Sequence, residues 1–113
     1  MLRSLAVALL VGVSAACGGA VAEVQVAESV AVVVSGQPVT VQRIARIHRF
    51  RQGRRIELLE ATLYVREPQA IRRQAVIEGD DVIIGGARYL VVHIEPGTSN
   101  TLGTVLLREA PAP

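Results

Sequence analysis

Two histidines, His48 and His93, one cysteine, Cys17, and the carboxylates Glu78, Asp80 and Asp81 are the residues that would have to carry any catalysis or metal chemistry in this chain. Their spacing suits none of it. No pair of Cys or His residues stands at the short intervals of a zinc site. No serine sits in a glycine-flanked nucleophile elbow. Glu78, Asp80 and Asp81 lack the alternating ligand pattern of a calcium loop, and their place ahead of an apolar run suits a turn in which an Asp caps the backbone. His93 falls within a strand-like stretch, with no nucleophile named beside it, and reads as a packed or edge histidine. Gly85-Gly86 is followed by no helix and so forms no phosphate cradle. The expectation is a protein with no catalytic residue, no cofactor and no metal.

Charge offers a sharper signal. All 12 basic residues are arginine, and Arg43, Arg46, Arg49, Arg51, Arg54 and Arg55 crowd one stretch that contains no acid. A GC-rich coding bias would give the same preference for arginine. Arginine also suits bidentate contacts at protein or phosphate surfaces. The functional reading of the stretch is an interface, with a partner subunit or with nucleic-acid backbone. The plainer reading is a solvated strand face whose charges discourage edge-to-edge pairing. Phe50, Tyr64 and Tyr89 are too few aromatics for a surface that stacks single-stranded bases. No recognition helix is visible. The polar run Glu95–Gly103 is a second binding candidate, a loop between firmly specified strands.

The elements that would position these residues are mainly strands. "EVQVAESVAVVV" alternates through Val24, Val26, Val30, Val32 and Val34, as a strand or an extended arm does. "SGQP", Ser35 to Pro38, marks a turn in which the glycine takes unusual backbone angles and the proline ends ladder pairing. "VTVQRIARIHRF" begins as a strand and then slips, with Ile44, Ile47 and Phe50 three apart, which a β-bulge explains. Gly53 centres a tight connection. "IELLEATLYVRE" puts Leu59, Ala61, Leu63 and Val65 on one face, and Glu60, Thr62 and Tyr64 on the other. Pro68 suits the first turn of a short helix over "PQAIRRQAVIEG". Asp81–Ile84 and Arg88–Ile94 flank Gly85-Gly86 as a hairpin. Tyr89, Val91 and His93 share one face, and Leu90, Val92 and Ile94 the other. "TVLLREA" is a last strand. The fold expected is a small β-barrel or sandwich of about six antiparallel strands with one short helix.

With 113 residues the chain is one domain at most, and one cysteine allows no intramolecular disulfide. A body this small buries a modest share of its surface, which favours a partner or an oligomer. We divide the chain into an apolar N-terminal helix or arm over 1–28, a β-domain over 29–110 and a tail over 111–113. The first segment has two readings. As a secretory signal it has Arg3, an apolar run from Leu5 to Val13, and Ala20-Val21-Ala22 as a cleavage site before Glu23. As an uncleaved helix it is capped by Ser4, stopped by Gly18-Gly19, and docks on a neighbouring subunit.

From Val30 to Glu109 the layout resembles the small head–tail joining proteins of tailed bacteriophages, the head-closure (stopper) and lambda-type attachment proteins. Three stretches carry the resemblance: "VVVSGQPVTVQRI", "ELLEATLYVRE" and "GDDVIIGGARYLVVHIEPG" with "TVLLRE" after a polar loop. The resemblance implies a non-catalytic virion protein, assembled in the host cytoplasm into a homo-oligomeric ring of the neck. Its partners would be portal or adaptor and tail-terminator proteins, with packaged DNA passing non-specifically through the channel. The segment Arg43–Arg55 would then serve subunit contacts or face the DNA. An export signal has no place in such a protein. The alternative is an exported periplasmic or envelope β-domain that binds a protein or ligand.

Overall fold

A computed structural model describes residues 22–111. The eight strands it contains are β1 (Glu23–Ala27), β2 (Val32–Val34), β3 (Gln37–Arg51), β4 (Arg54–Arg66), β5 (Ile71–Ile77), β6 (Asp81–Ile84), β7 (Ala87–Glu95) and β8 (Thr104–Glu109). They pair as two four-stranded sheets, in the orders β1-β8-β7-β6 and β2-β3-β4-β5. All strand pairings are antiparallel, and one sheet curls into a half-barrel. Both readings of the N-terminal segment rest on residues 1–21, which lie outside those described, while Glu23–Ala27, assigned to that segment, form β1 and pair with β8 in the first sheet.

Alternation builds the core. Val26, Val82, Ile84, Tyr89, Val91, Ile94, Val105 and Leu107 come from the first sheet, and Val34, Val39, Val41, Ala61, Leu63, Val65 and Val76 from the second. Each fully buried Val, Leu or Ile contributes roughly 1.5–3 kcal/mol. Among the described residues no charged or polar side chain is buried with them. Leu59, Ala61, Leu63 and Val65 do share the inner face of β4, as their spacing predicts.

The short helix expected after Pro68 is instead strand β5. Glu67 and Ala70 exchange backbone hydrogen bonds across the turn, at 2.8 and 3.4 Å. The chain then pairs along β4, from Arg66↔Ile71 to Glu60↔Ile77. Period-2 alternation is present, but two of its inward positions are polar. Arg72 and Gln74 point to the interior side with Val76, and Arg72 is held there by Glu67 (2.9 Å), by Gln74 (2.9 Å) and by the Ile83 carbonyl. Two further departures have similar causes. The valine-rich run before Ser35 is two strands in different sheets, split where Glu28–Ala31 crosses from one to the other. A bulge at Val92 turns His93 outward and Ile94 inward, so His93 does not share the buried face of Tyr89 and Val91. The expected slip in β3 is the bulge between Val41 and Arg43.

Two-residue turns join β2 to β3, β3 to β4, and β6 to β7. Ser35-Gly36, Gln52-Gly53 and Gly85-Gly86 all have positive φ at both positions, the type I′ geometry that matches strand twist. One of these turns also clamps the sheets together. A Cβ on Gly85 would stand 2.1 Å from the Ser35 carbonyl oxygen. Around this contact the Gly85 N–H donates to Gln37 Oε1 at 3.0 Å, and Ser35 Oγ lies 2.6 Å from the Tyr89 hydroxyl. At the other end, Glu28 Oε1 accepts from the Gly103 N–H at 2.9 Å, and the Ser29 N–H donates to the Val41 carbonyl at 2.9 Å.

Gly85→Ala should therefore cost about 2–4 kcal/mol of unfolding free energy, from left-handed strain plus overpacking against Ser35. Gly86→Ala, with nothing within 4 Å of its added Cβ, should cost about 1–2 kcal/mol. Urea denaturation of both variants checks the difference; equal losses would mean that the turn-to-turn contact contributes nothing.

Candidate interaction arm

The arginine-rich stretch is the distal half of the β3–β4 hairpin. β5 accompanies β4 only as far as Glu60↔Ile77, and β2 accompanies β3 only as far as Val39. From Arg46↔Leu59 to Arg51↔Arg54 the ribbon is therefore two strands wide, about 20 Å long at 3.3 Å per residue. No residue in it is buried. Both of its long edges present unpaired backbone groups.

Direct pairing fixes which side chains share a face. Ile44, Arg46, His48 and Phe50 lie with Ala61, Leu59, Glu57 and Arg55 on the core-side face. Arg43, Ala45, Ile47, Arg49 and Arg51 lie with Thr62, Glu60, Leu58, Ile56 and Arg54 on the opposite face. The bulge at Gln42 brings Ile44 to the core side after Val41, and regular alternation beyond it puts Phe50 on that side and Ile47 on the other. Ile47, Ile56 and Leu58 form a half-buried apolar strip far from the core, and Arg49 reaches along it to Glu60 at 3.7 Å. Phe50 at the tip is 75% exposed.

The six arginines of the stretch do not behave alike. Arg46 pairs with Glu57 at 4.0 Å, and Arg49 with Glu60. Such exposed pairs are worth little each. Arg43, Arg51, Arg54 and Arg55 have no acidic partner among the described residues. Arg51 stands directly opposite Arg54, a like-charge cross-strand pair that destabilises the ribbon.

The remaining candidate residues lie elsewhere. Asp80 caps its turn, with Oδ2 accepting from the Ile77 N–H at 2.9 Å. Asp81 pairs with Arg88 at 2.9 Å. His93, turned outward by the Val92 bulge, sits between two carboxylates: Nδ1 is 2.8 Å from Glu78 Oε2, and Nε2 is 2.8 Å from Glu95 Oε1. Both ring nitrogens face acceptors, an arrangement fully satisfied only by the imidazolium. The hydrogen bond to Glu95, helped by the Glu78 charge and hydrogen bond, raises the His93 pKa above its ordinary value, against a smaller opposing effect of desolvation. Glu78 also borders a cleft at the root of the arm, beside Arg46 and Leu59. The outward placement of His93 follows from the Val92 bulge and cannot be found from alternation alone. The loop 96–103 is organised by Thr98, whose Oγ1 accepts from the Asn100 and Thr101 N–H groups at 3.1 Å each.

No known protein family, curated protein or solved structure matches this chain.

Two measurements test this geometry. In an NMR titration His93 should ionise above the ordinary histidine range, and Glu95→Gln should lower its pKa. Because the folded pKa is raised, the stabilisation is complete below the unfolded histidine value and fades as pH rises through the folded one. A His93 titrating at or below the ordinary value would contradict the double clamp. Separately, Arg54→Glu replaces a repulsive pair with an attractive one and should steady the arm by about 0.2–1 kcal/mol, read as slower amide exchange at Phe50 and Arg55.

Proposed function

We propose that this chain is a structural subunit of the neck of a tailed bacteriophage or phage-like particle. In this reading it is a head–tail connector or stopper whose copies close into a homo-oligomeric ring around the DNA channel. The observation that carries the reading is the uncovered arm. A two-stranded ribbon is at best marginally stable in water without a third strand or an opposing layer. This one has free edges, an apolar strip and a self-repelling tip, and a neighbouring subunit supplies what it lacks. A contact between the arm of one copy and a different surface of the next is heterologous, and heterologous contacts close into rings when the rotation permits. The order of strands and turns from Val30 to Glu109, with its resemblance to neck proteins, supports the particular assembly. In the ring the arm arginines serve subunit contacts or face the DNA.

The full chain should run as one discrete oligomer in native mass spectrometry. A variant with residues 45–60 replaced by an Asn-Gly turn should keep the body and run as a monomer. A full chain that stays monomeric at tens of micromolar, and is missing from purified particles, would remove the proposal.

One observation favours the exported alternative. β1 opens at Glu23, the residue that cleavage after Ala22 would leave as N-terminus, so processing would keep all eight strands and remove only the hydrogen bond from the Glu109 N–H to the Ala22 carbonyl. The intact mass of the natural protein separates the two readings: a chain starting at Met1 supports the virion subunit, and one starting at Glu23 supports export.

A further inference from the structure

A second arginine cluster lies away from the arm tip, on the outer face of the second sheet. Two adjoining hollows there, of about 470 and 410 Å³, share Gln42 and Tyr64. Arg43 and Arg73 line one hollow and Arg66 the other. Together the hollows make a trough across β3, β4 and β5 with a half-buried tyrosine at its centre. Tyr64 stands directly opposite Arg73 on β5 and Thr40 on β3.

No acid lines either hollow. Glu60 and Glu67, which bracket this part of β4, are engaged by Arg49 at 3.7 Å and Arg72 at 2.9 Å. Arg43, Arg66 and Arg73 have no acidic partner among the described residues. The trough is therefore a concave surface with three free guanidinium groups, uncharged hydrogen-bonding side chains and one recessed aromatic ring, and Ala31, Pro38 and Ile71 add an apolar border at one end.

We propose that this trough binds a short stretch of single-stranded nucleic acid, with a base stacked on Tyr64 and the flanking phosphates held by Arg43, Arg66 and Arg73. Positive grooves that track a phosphate backbone beside an aromatic face are how sequence-tolerant single-strand binding is built, and arginine grips phosphate bidentately. A small anion would leave one end of the trough unused. An acidic peptide has charge but no flat base to place on the tyrosine. A duplex keeps its base faces stacked inside and has no face to offer a recessed ring. Aromatics are scarce along the chain, which by itself argues against stacking. A single ring becomes informative once three arginines from separate strands converge around it.

The test uses the full chain and a fluorescein-labelled 12-mer of deoxythymidine, followed by anisotropy across a salt series. Wild type should bind saturably, with affinity falling steeply as salt rises. Arg66→Gln/Arg73→Gln should flatten the slope of log affinity against log salt by about 1.4, at about 0.7 for each phosphate that is no longer neutralised. Tyr64→Ala should weaken binding about tenfold or more, while Tyr64→Phe stays within about twofold, since stacking needs the ring and not the hydroxyl. The two arginines can be replaced without touching the core, so the double variant remains decisive should Tyr64→Ala unfold. The proposal fails if wild type does not bind, or if the double variant binds with an unchanged slope, which would move the contact to the arm tip. It also fails if a duplex 12-mer or polyglutamate binds as tightly and is indifferent to Tyr64. Binding in the trough does not require the neck assembly. Native mass of the same samples reports assembly separately, so the ring and the trough stand or fall apart.

Discussion

The structure turns on a mismatch in length between its two sheets. β3 and β4 run for 15 and 13 residues, while β7 and β8 opposite them run for 9 and 6. A sheet buries its apolar face only where another layer meets it. The inner row of buried side chains accordingly stops at Val41 on β3 and Ala61 on β4, with Ile44 and Leu59 partly covered at the margin. Everything beyond is hydrogen-bonded ribbon with water on both faces. Its composition follows from that position: arginines and glutamates where a longer first sheet would have demanded valines. The arm is what remains of the second sheet after the first has ended.

Local chemistry made much of this fold readable. Gly-Gly marks a two-residue turn because glycine tolerates positive φ at both positions, and Gly36 and Gly53 located the other two, although Pro38, expected to end the pairing, lies in β3 opposite Val33. The alternation in β4 fixed its inner face, and the slip at Ile44 signalled the bulge. What stayed hidden depends on contacts far away in the chain. β5 disguised itself because Arg72 and Gln74 occupy inward positions that are usually apolar, and their neutralising partners include Glu67 and a carbonyl on β6. The outward turn of His93 rests on a bulge against β8 that leaves no mark in the residues around it. The crossing at Glu28–Ala31 interrupts a valine-rich run without a glycine or proline to announce it.

The candidate site was half legible for the same reason. The arginine stretch is plain in the sequence, but its projection is not, since that depends on which neighbouring strands end early. Nor can a sequence say which arginines are already spoken for. The fold sorts them. Arg46, Arg49, Arg72, Arg88 and Arg108 each find a carboxylate, whereas the unpaired ones gather at the arm tip and around Tyr64. Two separate regions of uncompensated positive charge on a chain of formal net charge +2 describe a molecule whose surface potential is far from uniform. Such a distribution favours contact with anionic surfaces.

The pairing of the first and last strands among the described residues has a bearing on how the protein reaches its native state. Glu23 pairs with Arg108 along β1 and β8, a separation of 85 residues, with a guanidinium nitrogen 2.7 Å from the carboxylate. Three hairpins with two-residue turns zip within microseconds, because their partners are already adjacent. Closing the first sheet requires β1 and β8 to find each other, and that search costs loop entropy before any contact rewards it. During synthesis β8 is also the last strand to emerge. Until it does, β1 and β7 lie with edges open, and the polypeptide spends that interval as a set of preformed ribbons waiting for its final strand.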